Sequence, residues 1–156
     1  MNYEQYDNLR FSSDRQLYLF HSIGPKGLLK KIVAYTPLEN LPDSYNLGFG
    51  TLKADEKGDE YVDGDETSNN GDRDKILATI ATTAYAFTER YPARKIYLRG
   101  TNSVRTRLYQ MAINHAYNEL SEDFRISGDL STVAGIYDLC LFEKGVNYTG
   151  FHFERI

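Results

Sequence analysis

Large apolar residues alternate with small or polar ones through Tyr45-Asn46-Leu47-Gly48-Phe49-Gly50-Thr51-Leu52. That period of two predicts a half-buried strand. Upstream, Gln16 to Ile23 is rich in β-formers and stops at the turn Gly24-Pro25-Lys26-Gly27. Leu28 to Tyr35 reads as its partner strand and ends at Thr36-Pro37, and a short strand is expected over Asn8 to Ser12. After Leu52 the acidic stretch is expected to form a long loop, or a hairpin through Tyr61-Val62. The period then lengthens. Ile76, Leu77, Ile80, Ala84, Phe87 and Tyr91 recur at helical spacing until Tyr91-Pro92, behind the turn and cap chemistry of Asn70-Gly71-Asp72. Lys95 to Arg99 is a short strand. Gly100-Thr101-Asn102-Ser103 opens a second helix with apolar positions Val104, Leu108, Met111, Ala112, Ala116 and Leu120. Further strands are expected at Phe124 to Ile126, Ile136 to Phe142 and Tyr148 to Glu154.

This order predicts an α+β fold: antiparallel N-terminal strands, then helix-strand-helix-strand, compatible with a ribonuclease H-like sheet. The strand-helix-strand unit at 95–126 is expected to cross over right-handedly to a parallel neighbour. With 156 residues, 41% of them hydrophobic, the chain suits a single globular domain over 1–156. Its single cysteine, Cys140, excludes an internal disulfide framework. No apolar run is long enough to span a membrane, and the opening Met1 to Tyr6 has no signal-peptide character. A cytoplasmic protein without a membrane role is expected.

Charge divides the chain. Between Asp55 and Asp74 nine acids face two bases, a local −7 in a chain of net −4. From Arg90 to Arg107 there are six bases and no acid. Either the acidic segment masks the basic one, or the basic segment meets an anionic partner. The second reading centres on Arg99, Gly100, Thr101, Asn102, Ser103, Arg105 and Arg107. A strand end followed by small polar residues gathers free N–H groups and the positive end of a helix dipole, which suits an oxyanion. Arginines in the first helical turn oppose that dipole, and their forked donors fit phosphate or carboxylate. The plainer reading pairs them with the protein's own acids. Thr106, Gln110, Asn114 and Asn118 form an uncharged stripe on the same helix, read as solvent face more readily than as contact surface.

Other chemistry is sparse. No histidine pair has zinc spacing, and the acidic loop lacks the ligand pattern of a calcium loop, so no metal or cofactor is assigned. On a ribonuclease H-like sheet the strand end at Arg99-Gly100-Thr101 would carry no carboxylate for two-metal chemistry. No P-loop, dinucleotide fingerprint or nucleophile elbow is present.

Three stretches carry a resemblance: Ser68-Asn69-Asn70-Gly71-Asp72 with Lys75 to Ala81, Arg99-Gly100-Thr101 with Arg105-Thr106-Arg107-Leu108-Tyr109, and Asn147-Tyr148 with Phe151. Over roughly residues 45–155 the chain resembles a family of short uncharacterised bacterial proteins. The resemblance implies a compact stand-alone bacterial domain and carries no catalytic residues with it. The preferred expectation is a non-catalytic module binding nucleic acid or an acidic protein partner through the basic strand-to-helix turn. The alternative is an RNase-like toxin of a toxin–antitoxin pair, with Arg107, Tyr109 and His115 as its chemistry and His152 as a further proton-transfer candidate. A third reading is a homodimer through the tyrosine-rich strands.

Overall fold

The computed structural model describes residues 4–64 and 70–156. Part of the acidic window (Asp65, Glu66) and Ser68-Asn69 of the first motif therefore lie outside the described residues. Among those described, an α+β protein with a mostly antiparallel open sheet and two helices emerges. The elements are β1 (Arg10–Phe11), β2 (Leu17–Gly24), β3 (Gly27–Pro37), β4 (Ser44–Ala54), β5 (Glu60–Asp63), α1 (Arg73–Arg90), β6 (Lys95–Leu98), α2 (Ser103–Asp123), β7 (Phe124–Asp129), β8 (Leu139–Leu141) and β9 (Gly150–Arg155). The chain condenses into two compact units, one comprising Thr36–Leu47 and Tyr91–Ile156, the other running up to Tyr35 and over Gly48–Arg90. No described helix is long and apolar enough to cross a membrane.

The unit holding α1 is built on antiparallel pairing. β1 pairs β2, β2 pairs β3 with Leu17 opposite Ala34, and β5 folds back on β4 with Leu52 opposite Val62. The acidic stretch is thus a hairpin as far as Asp63, where Lys53 Nζ meets the carboxylate at 3.1 Å. Tyr35 stacks on Phe87 of α1 with centroids 4.2 Å apart, and Tyr18 meets Tyr35 edge-on. The buried face of α1 includes Thr79, Thr83 and Thr88 beside Ile76, Ile80 and Phe87. Hydrophobic spacing alone misses these threonines. They are tolerated because each hydroxyl is satisfied: Thr79 Oγ1 accepts the Tyr6 N–H, Thr83 Oγ1 meets the Tyr35 phenol at 2.9 Å, and Thr88 donates to the Ala84 carbonyl.

In the other unit the first residues of β4 pair in parallel with β6, Tyr45 opposite Ile96, and the strands continue β6-β9-β7-β8, all antiparallel. The expected crossover is corrected here. β6 and β7 do run parallel, but β9 is inserted between them and hydrogen-bonds both. The C-terminal strand carries Phe151 and His152, both buried, so it belongs in the middle rather than at an edge. The strand expected over Ile136 to Phe142 shrinks to Leu139–Leu141, because Asp129 captures the segment before it. That buried carboxylate accepts the Ser131 and Asp138 N–H groups, each at 2.9 Å, and the Tyr97 phenol at 2.7 Å. Burial, reinforced by Asp129, lifts the Tyr97 phenol well above its usual range while Arg99 opposes the shift. Gly128 is required beside it: a Cβ there would lie 2.2 Å from the Tyr148 ring.

His152 lies 7% exposed on β9, its Nε2 3.0 Å from the Ser44 hydroxyl. Burial, then the Lys95 charge, lowers its pKa from 6.5. The folded protein prefers the neutral ring, so this contribution to stability is complete above pH 6.5 and is lost as pH falls through the folded-state value. Urea midpoints at pH 7.5 and pH 5.5 should show a loss in acid that is smaller in His152→Gln; an unchanged slope would refute the role.

Candidate anion-binding hollow at the start of the second helix

The strand-to-helix turn after β6 is held by its own side chains. Asn102 is the N-cap of α2, extended at φ −147° and ψ 172°, and its Oδ1 accepts the Arg105 N–H at 2.9 Å. Thr106 Oγ1 accepts the Gly100 N–H and donates to the Asn102 carbonyl, both at 3.1 Å. Gly100 must be glycine at this approach, since a Cβ would stand 2.4 Å from the Thr106 nitrogen. The knot leaves the N–H groups of Ser103 and Val104 at the positive end of the helix without acceptors inside it. No acid occupies that first turn.

Beside the turn opens a hollow of about 630 Å³. One wall is the turn, from Arg99 through Ser103. A second is the face of α2 carrying Thr106, Gln110 and Asn114, with Arg107 and Met111 at its edge; the third is the segment from Gly145 to Thr149. Six of the seven residues read from the sequence as anion-binding, Arg99, Gly100, Thr101, Asn102, Ser103 and Arg107, border this one space. Arg99 and Arg107 are exposed, and neither pairs with a carboxylate among the described residues. Arg105 does not line the hollow. Its guanidinium turns to Tyr109 one helical turn along, where it partly offsets the rise that burial imposes on that phenol.

The polar stripe is corrected in its first half. Thr106 and Gln110 are buried, while Val104 and Met111, expected on the apolar face, are 77% and 56% exposed. The buried face is Thr106, Tyr109, Gln110, Ile113, Ala116 and Leu120, rotated from the apolar count. Gln110 explains the rotation. Its Nε2 donates to the Val146 carbonyl and its Oε1 accepts the Tyr148 N–H, tying the irregular 145–149 segment to the helix. Tyr148 packs behind this tie among Phe142 and Phe151, and its phenol accepts the Glu143 N–H. Asn147 of the third motif borders the hollow, while Phe151 is core.

The other sequence candidates lie elsewhere. Tyr109 is buried, His115 is exposed on α2 and His152 is held by Ser44, and none borders the hollow. The described part of the Asn-Gly-Asp motif is architectural: buried Asn70 accepts the Lys26 N–H and donates to the Gly27 carbonyl and Ser22 hydroxyl, fastening the β2–β3 turn. Asp72 accepts from the Tyr6 and Ser22 hydroxyls at the start of α1. Sequence reasoning passed over Gln110 as a pocket-building residue because a polar helical stripe has the same spacing whether it faces water or a loop.

Gln110→Leu keeps the volume but strands a carbonyl and an N–H. A loss of about 1–3 kcal/mol in unfolding free energy is expected, with faster hydrogen exchange over 145–149. Exchange unchanged in that segment would show that Gln110 does not hold it.

No curated protein and no solved structure matches the chain. A family model spans residues 2–156, nearly the whole sequence including the turn, α2 and the 145–149 segment that enclose the hollow. The chain belongs to DUF6934, a family of unknown function.

Proposed function

We propose that this protein is a non-catalytic binding module that takes a phosphate-bearing anion, nucleic acid foremost, into the hollow at the start of α2. One observation carries the reading: Arg99 and Arg107, free of carboxylate partners among the described residues, border the same concavity as an acid-free helix mouth. An oxyanion docked at that end of a helix is favoured by the dipole by roughly 0.3–1 kcal/mol, and the two guanidinium groups beside it add charge-assisted donors. Concavity favours a phosphate group over a flat acidic protein surface, since a recessed oxyanion is met by donors from several sides.

The phosphodiester-cleaving alternative draws less support. Its proposed proton carriers, Tyr109 and His115, do not border the hollow. On a ribonuclease H-like reading of the sheet, the strand end after α1 still offers Arg99 and Gly100 in place of a metal-binding carboxylate. A homodimer through the tyrosine-rich strands is compatible with the same anion site and is measured separately by light scattering.

Fluorescence anisotropy with short single-stranded RNA and DNA at 50 mM salt tests the proposal. Affinity should fall as salt rises, and Arg99→Glu with Arg107→Glu should weaken binding more than tenfold without lowering Tm. Absence of binding at low salt, or binding indifferent to the double charge reversal, would sink it.

A further inference from the structure

The hollow is far larger than a phosphate group needs, and its far end carries an unmet requirement. Asn114 lines it two turns of α2 beyond Arg107, and the Asn114 Oδ1 is sheltered from solvent with no hydrogen-bond donor. A sheltered acceptor without a partner is costly, so a ligand that brings an N–H there gains more than one arriving in open water. Seven residues of helix place Asn114 about 10 Å along the axis from Arg107, a span for a phosphate with a sugar and a base attached. Between the two, Thr106, Gln110 and Asn114 follow one another at four-residue spacing on the same face. Met111 adds an exposed, polarizable apolar surface beside them.

We propose that the hollow holds a single nucleotide with a terminal phosphate: the phosphate at Arg99, Arg107 and the helix mouth, the base along α2, where a turn of the half-buried Asn114 amide brings Oδ1 onto one of its N–H groups. This rests on the anion reading above and adds the ligand's other end. The shared chemistry is a nucleotide phosphomonoester, whether free or at the end of a single strand. A base edge can be reached this way only when it is unpaired.

Isothermal titration with adenosine 5′-monophosphate, ribose 5-phosphate and inorganic phosphate separates the parts. The nucleotide should bind roughly tenfold more tightly than ribose 5-phosphate, the equivalent of one added hydrogen bond and base contact. Asn114→Leu should erase that gap while leaving ribose 5-phosphate affinity unchanged. Because it removes an unsatisfied acceptor, it should leave Tm equal or higher, which also certifies folding. A 5′-phosphorylated hexanucleotide that displaces the mononucleotide identifies a strand end, and failure to displace it identifies the free nucleotide. If nucleotide and ribose 5-phosphate bind equally, or the gap survives Asn114→Leu, the base contact is refuted while the anion site stands. If none of the three phosphates binds while single-stranded RNA or DNA still does, the nucleotide proposal falls and the anion reading stands; if neither class binds, both fall.

Discussion

The hollow exists because one buried amide on a helix speaks to a segment that has no regular structure. Gln110 supplies a donor and an acceptor to residues on either side of Asn147, so the 145–149 segment is held against α2 without strand or helix of its own. Backbone polar groups in such a segment must find partners somewhere. Here they find them in Gln110, and on the other side in Asp129, whose carbonyl receives both the Thr149 N–H at 2.8 Å and its hydroxyl at 3.0 Å. The aromatic packing of Phe142, Tyr148 and Phe151 fills the space behind. The front is left open and polar.

Polar side chains inside this protein mostly serve as fasteners. Asn70 closes the β2–β3 turn, Thr79 and Thr83 lock α1 to Tyr6 and Tyr35, Asp129 organises the approach to β8, and Ser44 holds His152. Each is matched to a named partner, as buried polar groups must be. Against that background the groups bordering the hollow stand apart: an acid-free helix start, two exposed arginines without a carboxylate partner among the described residues, and Asn114 Oδ1. Stability alone would place an acid at that helix start, as Asp74 stands in the first turn of α1. The contrast between the two helices is the chemical asymmetry of the molecule.

Much of the fold was legible because its signals are local. Alternation over Tyr45 to Leu52, the Gly24-Pro25-Lys26-Gly27 turn, the stop at Tyr91-Pro92 and the Gly100-Thr101-Asn102-Ser103 opening of α2 each act within a few residues, and each element lies where those signals put it. Faces were harder. On α1 the buried threonines, and on α2 Thr106 and Gln110, are polar residues whose inward position depends on partners distant in sequence: Tyr35 for Thr83, the 145–149 segment for Gln110. The insertion of β9 between β6 and β7 was equally out of reach, since strand order is a matter of which distant edges meet.

The sequence by itself determined the element order, the acid-free run from Arg90 to Arg107 and the dipole-opposed arginines after β6, because charge and capping are properties of neighbouring residues. Only the tertiary structure decided that Arg99 and Arg107 share a hollow while Arg105 turns to Tyr109, and that Asn114 stands at its far end. A concavity needs walls from separate parts of the chain, and their meeting is written in packing and hydrogen bonds across long separations.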